Sequence, residues 1–80
     1  MEKIMLPFGQ RLKELRKTRR LTQVDMANML GCTDRHYQRM EYGYVNVPSL
    51  TLIFLADYFG VTTDYLLGRG GEAAGGGEGA

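Results

Sequence analysis

Several residue types that support particular functions are scarce in this chain. Its 80 residues include no tryptophan, one cysteine, one histidine and two prolines. A single cysteine cannot form a disulfide within the chain, which favours a reducing compartment such as the cytoplasm. Cys32 and His36 are the only soft metal ligands, whereas a structural zinc ion takes about four. We therefore expect no metal site, and Cys32 is expected to pack inward.

Long apolar runs are also missing. No stretch approaches the roughly 20 residues that a membrane-spanning helix needs, and residues 1–7 lack the apolar core and cleavage site of a signal peptide. A hydrophobic content of 44% still favours a globular fold. A chain of this size buries only about 60% of its unfolded surface. We expect one compact domain without a deep crevice for a cofactor.

Catalytic patterns are equally sparse. A Ser/His/Asp arrangement would need Ser49 together with His36, and Ser49 is better explained as the cap of a helix. The glycines near the C-terminus do not sit between a strand and a helix, as a phosphate-binding loop requires. We therefore expect that the chain is not an enzyme.

The net charge of +1 conceals an uneven distribution. Residues 1–20 carry seven basic and two acidic side chains (+5), residues 21–50 carry two and three (−1), and residues 51–80 carry one and four (−3). A basic first quarter can attract phosphates while the far end stays acidic. The same charges also suit the solvated surface of an ordinary helix, so charge alone leaves both interpretations open.

The spacing of apolar residues predicts five helices and no strand. Phe8, Leu12 and Leu15 share one face of a first helix over about residues 8–18, with Pro7 at its entrance. Further helices are predicted from Thr22 to residue 30, over residues 34–42, from the cap Ser49 to residue 59, and over residues 63–67. The side chains expected in the core of these helices are Met26, Ala27, Leu30, Tyr37, Met40, Leu52, Leu55, Ala56 and Phe59.

Two of these helices flank a tight turn. Thr22 and Asp25 form a Thr-x-x-Asp pattern that is typical of a capping box. Gly31 stands where a helix end takes a left-handed residue, and Thr33 is a good N-cap for the next helix. Ala27 is small enough for the two helices to cross closely. The pattern predicts two short helices joined at Gly31.

The second of these helices has a polar outer face. Arg35 and Arg39 are four residues apart and project from the same side, and Gln38 lies close to that stripe. A guanidinium matches the N7 and O6 acceptors of guanine, and a glutamine amide can pair with adenine. A solvated helix face has the same composition, but the flanking turn and caps favour a helix that reads DNA.

The motifs of the whole chain carry a resemblance to a known family. They are Thr22-Gln23-x-x-x-Ala27, Gly31, Glu41-x-Gly43, Pro48-Ser49-Leu50, Leu55-Ala56 and Val61-Thr62-Thr63-Asp64-Tyr65-Leu66-Leu67-Gly68. With the order of five helices, they resemble the lambda-repressor/Cro-like helix-turn-helix family over roughly residues 8–68. The resemblance implies an all-α, compact five-helix bundle with a DNA-binding domain over residues 1–68. Residues 69–80 are rich in glycine and are expected to be a flexible tail.

Members of this family are mostly bacterial or phage regulators that bind specific sequences of double-stranded DNA. The resemblance implies a transcriptional repressor whose third helix lies in the major groove, and an ion pair of Arg16 with Glu41 that ties the first helix to the third. The expected base-reading residues are Thr33, Asp34, Arg35, Gln38 and Arg39. The expected contacts with the DNA backbone are Arg19, Arg20, Gln23, Tyr42, Tyr44 and Asn46.

Three side chains, Asp34, His36 and Tyr37, depart from the family's usual pattern. Asp34 repels phosphates but can accept a hydrogen bond from a cytosine amino group. It also suits the first turn of a helix without touching DNA, and both interpretations stay open. Tyr37 is predicted to lie in the core with its hydroxyl at the edge, near a phosphate.

Apolar residues outside the predicted core suit a contact with a partner, although single exposed apolar residues are also ordinary on a domain without one. A homodimer would set two recognition helices one DNA turn apart, about 34–36 Å, on a palindromic site. The alternative is an antitoxin or a protein-interaction module that uses the same fold. The apolar residues predicted to contact a partner are Val24, Met29, Val45, Val47, Tyr58, Tyr65 and Leu66.

Overall fold

The computed structural model describes residues 5–69, and within that range the chain is helical without a strand. The elements are α1 (Leu6–Thr18), α2 (Gln23–Leu30), α3 (Asp34–Tyr42), α4 (Ser49–Phe59) and α5 (Thr63–Leu66). The predicted all-α five-helix fold is confirmed. Most of the predicted tail, residues 70–80, lies outside the described residues. None of the helices in residues 5–69 is long and apolar enough to cross a bilayer.

All five helices contribute to one apolar core. Its buried members are Phe8, Leu12, Met26, Ala27, Tyr37, Met40, Leu55, Ala56, Phe59 and Leu66. The periodicity of the sequence predicted nine of these ten, because residues three and four apart share a helix face. The tenth, Leu66, was expected on the surface. It is fully buried, so it cannot form a contact with a partner.

Threonine caps define where three helices begin. The hydroxyls of Thr22, Thr33 and Thr62 each accept a hydrogen bond from the backbone N–H three residues later, at 3.0, 3.1 and 2.9 Å. The Thr22 N–H in turn donates to Asp25, which completes the predicted capping box. Gly31 adopts φ 72° and ends α2 in the left-handed conformation. Each such cap stabilises its helix by about 1 kcal/mol.

Three predicted boundaries were wrong. α1 begins at Leu6, two residues before the prediction, with Pro7 in its first turn, where the missing N–H of proline costs no helical hydrogen bond. Ser49 is the first helical residue of α4 rather than its cap. The cap is Pro48, and no side chain caps this helix. α5 ends at Leu66 rather than at Leu67.

Close packing of α1 against α3 depends on Gly9, which the sequence analysis did not single out. A Cβ at Gly9 would overlap the carbonyl oxygen of Glu41 and lie 2.8 Å from that of Met40. Real Cβ atoms essentially never approach backbone this closely. The absence of a side chain therefore allows α1 to support the C-terminal half of α3.

Candidate nucleic-acid interface

The outer side of α3 carries the residues predicted to read bases. Asp34 and Arg35 are exposed, and Gln38 and Arg39 are half-buried. Thr33 is also exposed, but its hydroxyl accepts the His36 N–H as the cap of α3. Tyr37 and Met40 turn inward, which leaves the polar residues on the side of α3 away from the core. The structure thus brings the five predicted residues together on one helix and its cap.

An aromatic cluster lies where α3 ends. The rings of Tyr42 and Tyr44 meet edge to face, with centroids 6.4 Å apart and an interplanar angle of 81°. The guanidinium carbon of Arg39 lies 5.7 Å from the centroid of the Tyr44 ring. Asn46, two residues further, is exposed. Two residues predicted to contact the DNA backbone, Tyr42 and Tyr44, therefore lie in one cluster with Arg39, which was predicted to read a base.

The carboxylate of Glu41 is a buried junction between α1, α2 and α3. Its Oε2 accepts from Arg16 Nε at 2.5 Å and from the Tyr37 hydroxyl at 2.5 Å. Its Oε1 accepts from Arg16 Nη2 at 3.2 Å and from Gln23 Nε2 at 3.1 Å. Arg16 also donates from Nη1 to the Leu21 carbonyl at 2.8 Å. The expected pair of Arg16 and Glu41 is thus present within a larger network.

The electrostatics of this junction keep the pair charged. Burial raises the pKa of Glu41, but hydrogen bonds from Arg16, Tyr37 and Gln23 outweigh burial and lower it below its usual value. The hydrogen bond to Glu41 raises the pKa of Arg16 against the effect of burial. Burial, followed by the bond to Glu41, raises the pKa of Tyr37, so its hydroxyl remains a neutral donor.

The prediction for the Tyr37 hydroxyl was wrong. The ring lies in the core as expected, but the hydroxyl donates to Glu41 instead of reaching the edge of the domain. The four donors occupy the acceptor sites of both carboxylate oxygens. A buried carboxylate needs such partners, and this need explains the inward orientation, which apolar periodicity cannot reveal.

Gln23, at the start of α2, joins the same junction. Its amide nitrogen donates to Glu41, which braces α3 against α2. An amide nitrogen carries two N–H donors, so this bond is compatible with the phosphate contact expected for Gln23. That contact stays a prediction.

The two arginines after α1 differ in their surroundings. Arg19 Nη2 donates to the Tyr58 carbonyl at 3.1 Å, and its guanidinium lies over the rings of Tyr58 and Phe59. It therefore reaches toward the end of α4. Arg20 is exposed and adopts φ 58°, the only non-glycine residue with positive φ in residues 5–69. The left-handed region is strained for L-residues with a Cβ, and this conformation was not predicted from the sequence. The DNA contacts expected for both stay predictions.

The structure shows no group of three or more potential metal ligands within residues 5–69. Cys32 is half-buried and packs against the core. Burial, with a smaller effect from Asp34, raises the pKa of its thiol. A protonated thiol is a poor nucleophile, so the surroundings of Cys32 match the packing role predicted for it.

α4 exposes an apolar surface of which only Tyr58 was predicted from the sequence. We call it the α4 face, and it consists of Leu50, Ile53, Phe54 and Tyr58. Leu50 is 81% exposed, and the rings of Phe54 and Tyr58 stack with centroids 6.2 Å apart. The signal was present in the sequence, since Asp57 is the only charged residue in this helix, and a helix that is apolar all round is usually covered.

Of the apolar residues predicted to meet a partner, several are occupied within the domain. Met29, Val45 and Val47 are half-buried and pack against the core. Tyr65 lies beneath the guanidinium of Arg11, 4.3 Å from its ring centroid. Val24 is exposed, as is Tyr58, which belongs to the α4 face.

Comparisons with known proteins agree with this architecture. A helix-turn-helix family model matches residues 12–66. The SPbeta prophage-derived, uncharacterized HTH-type transcriptional regulator YonR of Bacillus subtilis strain 168 is 40% identical over 60 residues, 75% of this chain and 56% of that protein. The HTH-type transcriptional regulator ImmR of the same organism is 34% identical over 64 residues, 80% of this chain and 50% of that protein. The chain thus spans about half the length of these relatives.

A solved structure shares the fold. The restriction-modification controller protein C.AhdI from Aeromonas hydrophila has a TM-score of 0.66 and 31% sequence identity, covering 78% of this chain and 94% of that chain.

Proposed function

The chain belongs to the helix-turn-helix family, and we propose that it binds specific sequences of double-stranded DNA as a transcriptional regulator. The observation that carries this proposal is the polar outer side of α3, which two other helices hold in place through Glu41. A helix presented in this way fits the major groove. By occupying a promoter the protein would exclude other DNA-binding proteins, so we propose that it represses transcription. Its proposed location is the cytoplasm.

Base reading is assigned to the outer side of α3. Arg35 and Arg39 supply planar forks of donors for guanine, and Gln38 an amide for adenine. Thr33 and Asp34 stand at the start of the helix, where side chains of this fold come close to the bases. Asp34 would accept from a cytosine amino group.

Contacts with phosphates are assigned to the ends of the helices. Arg20 and Gln23 flank the start of α2, where backbone N–H groups and the helix dipole favour an anion. Tyr42 and Asn46 would contact the DNA backbone where α3 ends. Arg19 donates one N–H to the Tyr58 carbonyl, and its other donors would contact a phosphate. These contacts provide affinity that falls with salt, whereas the base contacts provide the choice of sequence.

The names of the relatives support a regulatory role. YonR and ImmR are named as transcriptional regulators, and C.AhdI is named as a controller protein of a restriction-modification system. The proposal assigns no catalytic residue and requires no cofactor.

We propose further that the protein binds as a homodimer through the α4 face. A second copy brings an identical apolar face, as two-fold contacts require. The second copy also brings complementary charges beside this face. Asp57 is exposed on the same helix, and the Arg19 guanidinium lies over the Tyr58 ring.

Substitutions of equal exposure test the dimer. Ile53 and Val24 are both 48% exposed, so Ile53→Lys and Val24→Lys add the same charge to different surfaces. Sedimentation equilibrium should show a dimer for the unchanged protein and for Val24→Lys, and a monomer for Ile53→Lys. A monomer in all three, or a dimer in all three, would refute the α4 face as the interface.

Selection from a random pool of duplexes tests DNA binding itself. Bound fragments are recovered at low and moderate salt and sequenced, and we expect enrichment of one motif with two-fold symmetry. Uniform recovery of all sequences would contradict the proposal.

The alternative role is that of an antitoxin or protein-interaction module, and the exposed α4 face supports it. Uniform recovery of all DNA sequences together with a tight protein partner would favour this role.

A further inference from the structure

We propose that Tyr44 positions the guanidinium of Arg39 for base reading. The inference rests on the proposed function, because it assumes that Arg39 meets a base. It assigns to Tyr44 a role different from the phosphate contact expected from the sequence, and it makes the residue after the end of α3 a determinant of specificity.

The local backbone brings the two side chains together. α3 ends at Tyr42 with Gly43 as its C-cap, and the Tyr44 N–H then donates to the Arg39 carbonyl at 3.0 Å. The chain thus folds back over the last turn of the helix. The ring centroid of Tyr44 lies 5.7 Å from the guanidinium carbon of Arg39, within the about 6 Å over which a ring face attracts a cation.

The ring that holds Arg39 is itself held. Tyr42 meets it edge to face at a centroid distance of 6.4 Å, a favoured aromatic geometry. Tyr44 is half-buried, and the next residue, Val45, packs against the core. The ring therefore forms a fixed support beside the Arg39 guanidinium.

A cation–π contact suits base reading because it acts on the charge of the guanidinium and uses none of its N–H donors. These donors stay available for the N7 and O6 acceptors of guanine. A contact of this kind restricts the rotamers of arginine before DNA arrives. Less conformational entropy is then lost on binding, which strengthens the contact with the correct base.

Two substitutions separate the ring from its hydroxyl. Tyr44→Phe keeps the ring, Tyr44→Leu removes it while keeping apolar bulk, and Tyr44→Gln replaces Tyr44→Leu if the leucine variant does not fold. In the protein without DNA, nitrogen-15 relaxation of the arginine Nε groups reports side-chain mobility. We expect the Arg39 Nε to become more mobile in Tyr44→Leu but not in Tyr44→Phe, with the Arg35 Nε unchanged as an internal control.

Binding to the selected duplex completes the test. Tyr44→Leu should weaken binding about two- to fivefold, Tyr44→Phe should not, and Tyr44→Leu should have no further effect when Arg39 is already alanine. An equal loss with and without Arg39, or an equal loss in Tyr44→Phe, would overturn the proposal in favour of a direct DNA contact by Tyr44. Unchanged mobility of Arg39 would also overturn it. If the unchanged protein selects no motif, the proposed function fails, while the relaxation measurement still decides whether Tyr44 holds Arg39.

Discussion

The carboxylate of Glu41 accepts two hydrogen bonds from the guanidinium of Arg16, which lies 25 residues earlier in the chain. Both side chains are buried, at 4% and 9% exposure. Because Tyr37 and Gln23 donate to the same carboxylate, one charged group fixes α3 against α1 and α2. The orientation of the proposed reading helix therefore depends on Arg16, Tyr37 and Glu41, which we do not expect to touch DNA.

Removing one member of this pair should destabilise the fold strongly. Arg16→Met leaves the Glu41 carboxylate buried without its charged partner and should lower the free energy of unfolding by about 3–5 kcal/mol. Urea denaturation followed by circular dichroism measures the change. The double variant Arg16→Met/Glu41→Leu should recover part of the loss, since no buried charge remains. A double variant less stable than Arg16→Met would contradict this explanation.

Acid should weaken the protein through the same carboxylate. Folding lowers the pKa of Glu41, so its contribution is complete above the unfolded pKa of about 4.3 and is lost as pH falls through the lower folded value. We expect the free energy of unfolding to decrease below about pH 4 more steeply in the unchanged protein than in Glu41→Gln. Parallel curves for the two proteins would show that Glu41 does not contribute.

Close packing at Gly9 should be sensitive to a single methyl group. Gly9→Ala should lower the free energy of unfolding by about 1–3 kcal/mol or more, because overpacking forces backbone to move. Gly31→Ala is the matched control. It has φ 72° and no atom within 4 Å of the added Cβ, so it incurs only the left-handed strain of about 1 kcal/mol. Equal losses for the two variants would argue against a steric role for Gly9.

The contrast between Gly9 and the threonine caps shows which features of the fold can be predicted from the sequence. Caps and core faces depend on residues within four positions of one another, and spacing predicted the caps Thr22 and Thr33 and nine of the ten buried core residues. The contact of Gly9 with Glu41 depends on where two helices cross, which spacing does not determine. Spacing does not determine the direction of the Tyr37 hydroxyl either. That direction follows from the Glu41 carboxylate, which accepts hydrogen bonds from Arg16 of α1 and Gln23 of α2. The family pattern supplied the pair of Arg16 and Glu41, but not its four-donor environment.

Arg20 should show opposite effects on stability and on DNA binding. Arg20→Gly relieves the left-handed strain of about 1–2 kcal/mol, partly offset by the greater chain entropy of glycine, so the free energy of unfolding should rise by up to about 1 kcal/mol. The same change removes a proposed phosphate contact. The fall of log affinity with log salt should therefore become less steep, by about 1 in the magnitude of the slope. Arg20→Lys, which keeps the charge, should preserve the slope. An unchanged slope in Arg20→Gly would exclude the phosphate contact.

The most direct test of sequence reading compares two duplexes with one variant. Fluorescence anisotropy at constant salt measures the affinity of the unchanged protein and of Arg35→Ala for the selected motif and for a scrambled duplex of the same composition. We predict that Arg35→Ala weakens binding to the motif by about 1–3 kcal/mol and binding to the scrambled duplex by much less. Equal losses on both duplexes would contradict base reading by α3.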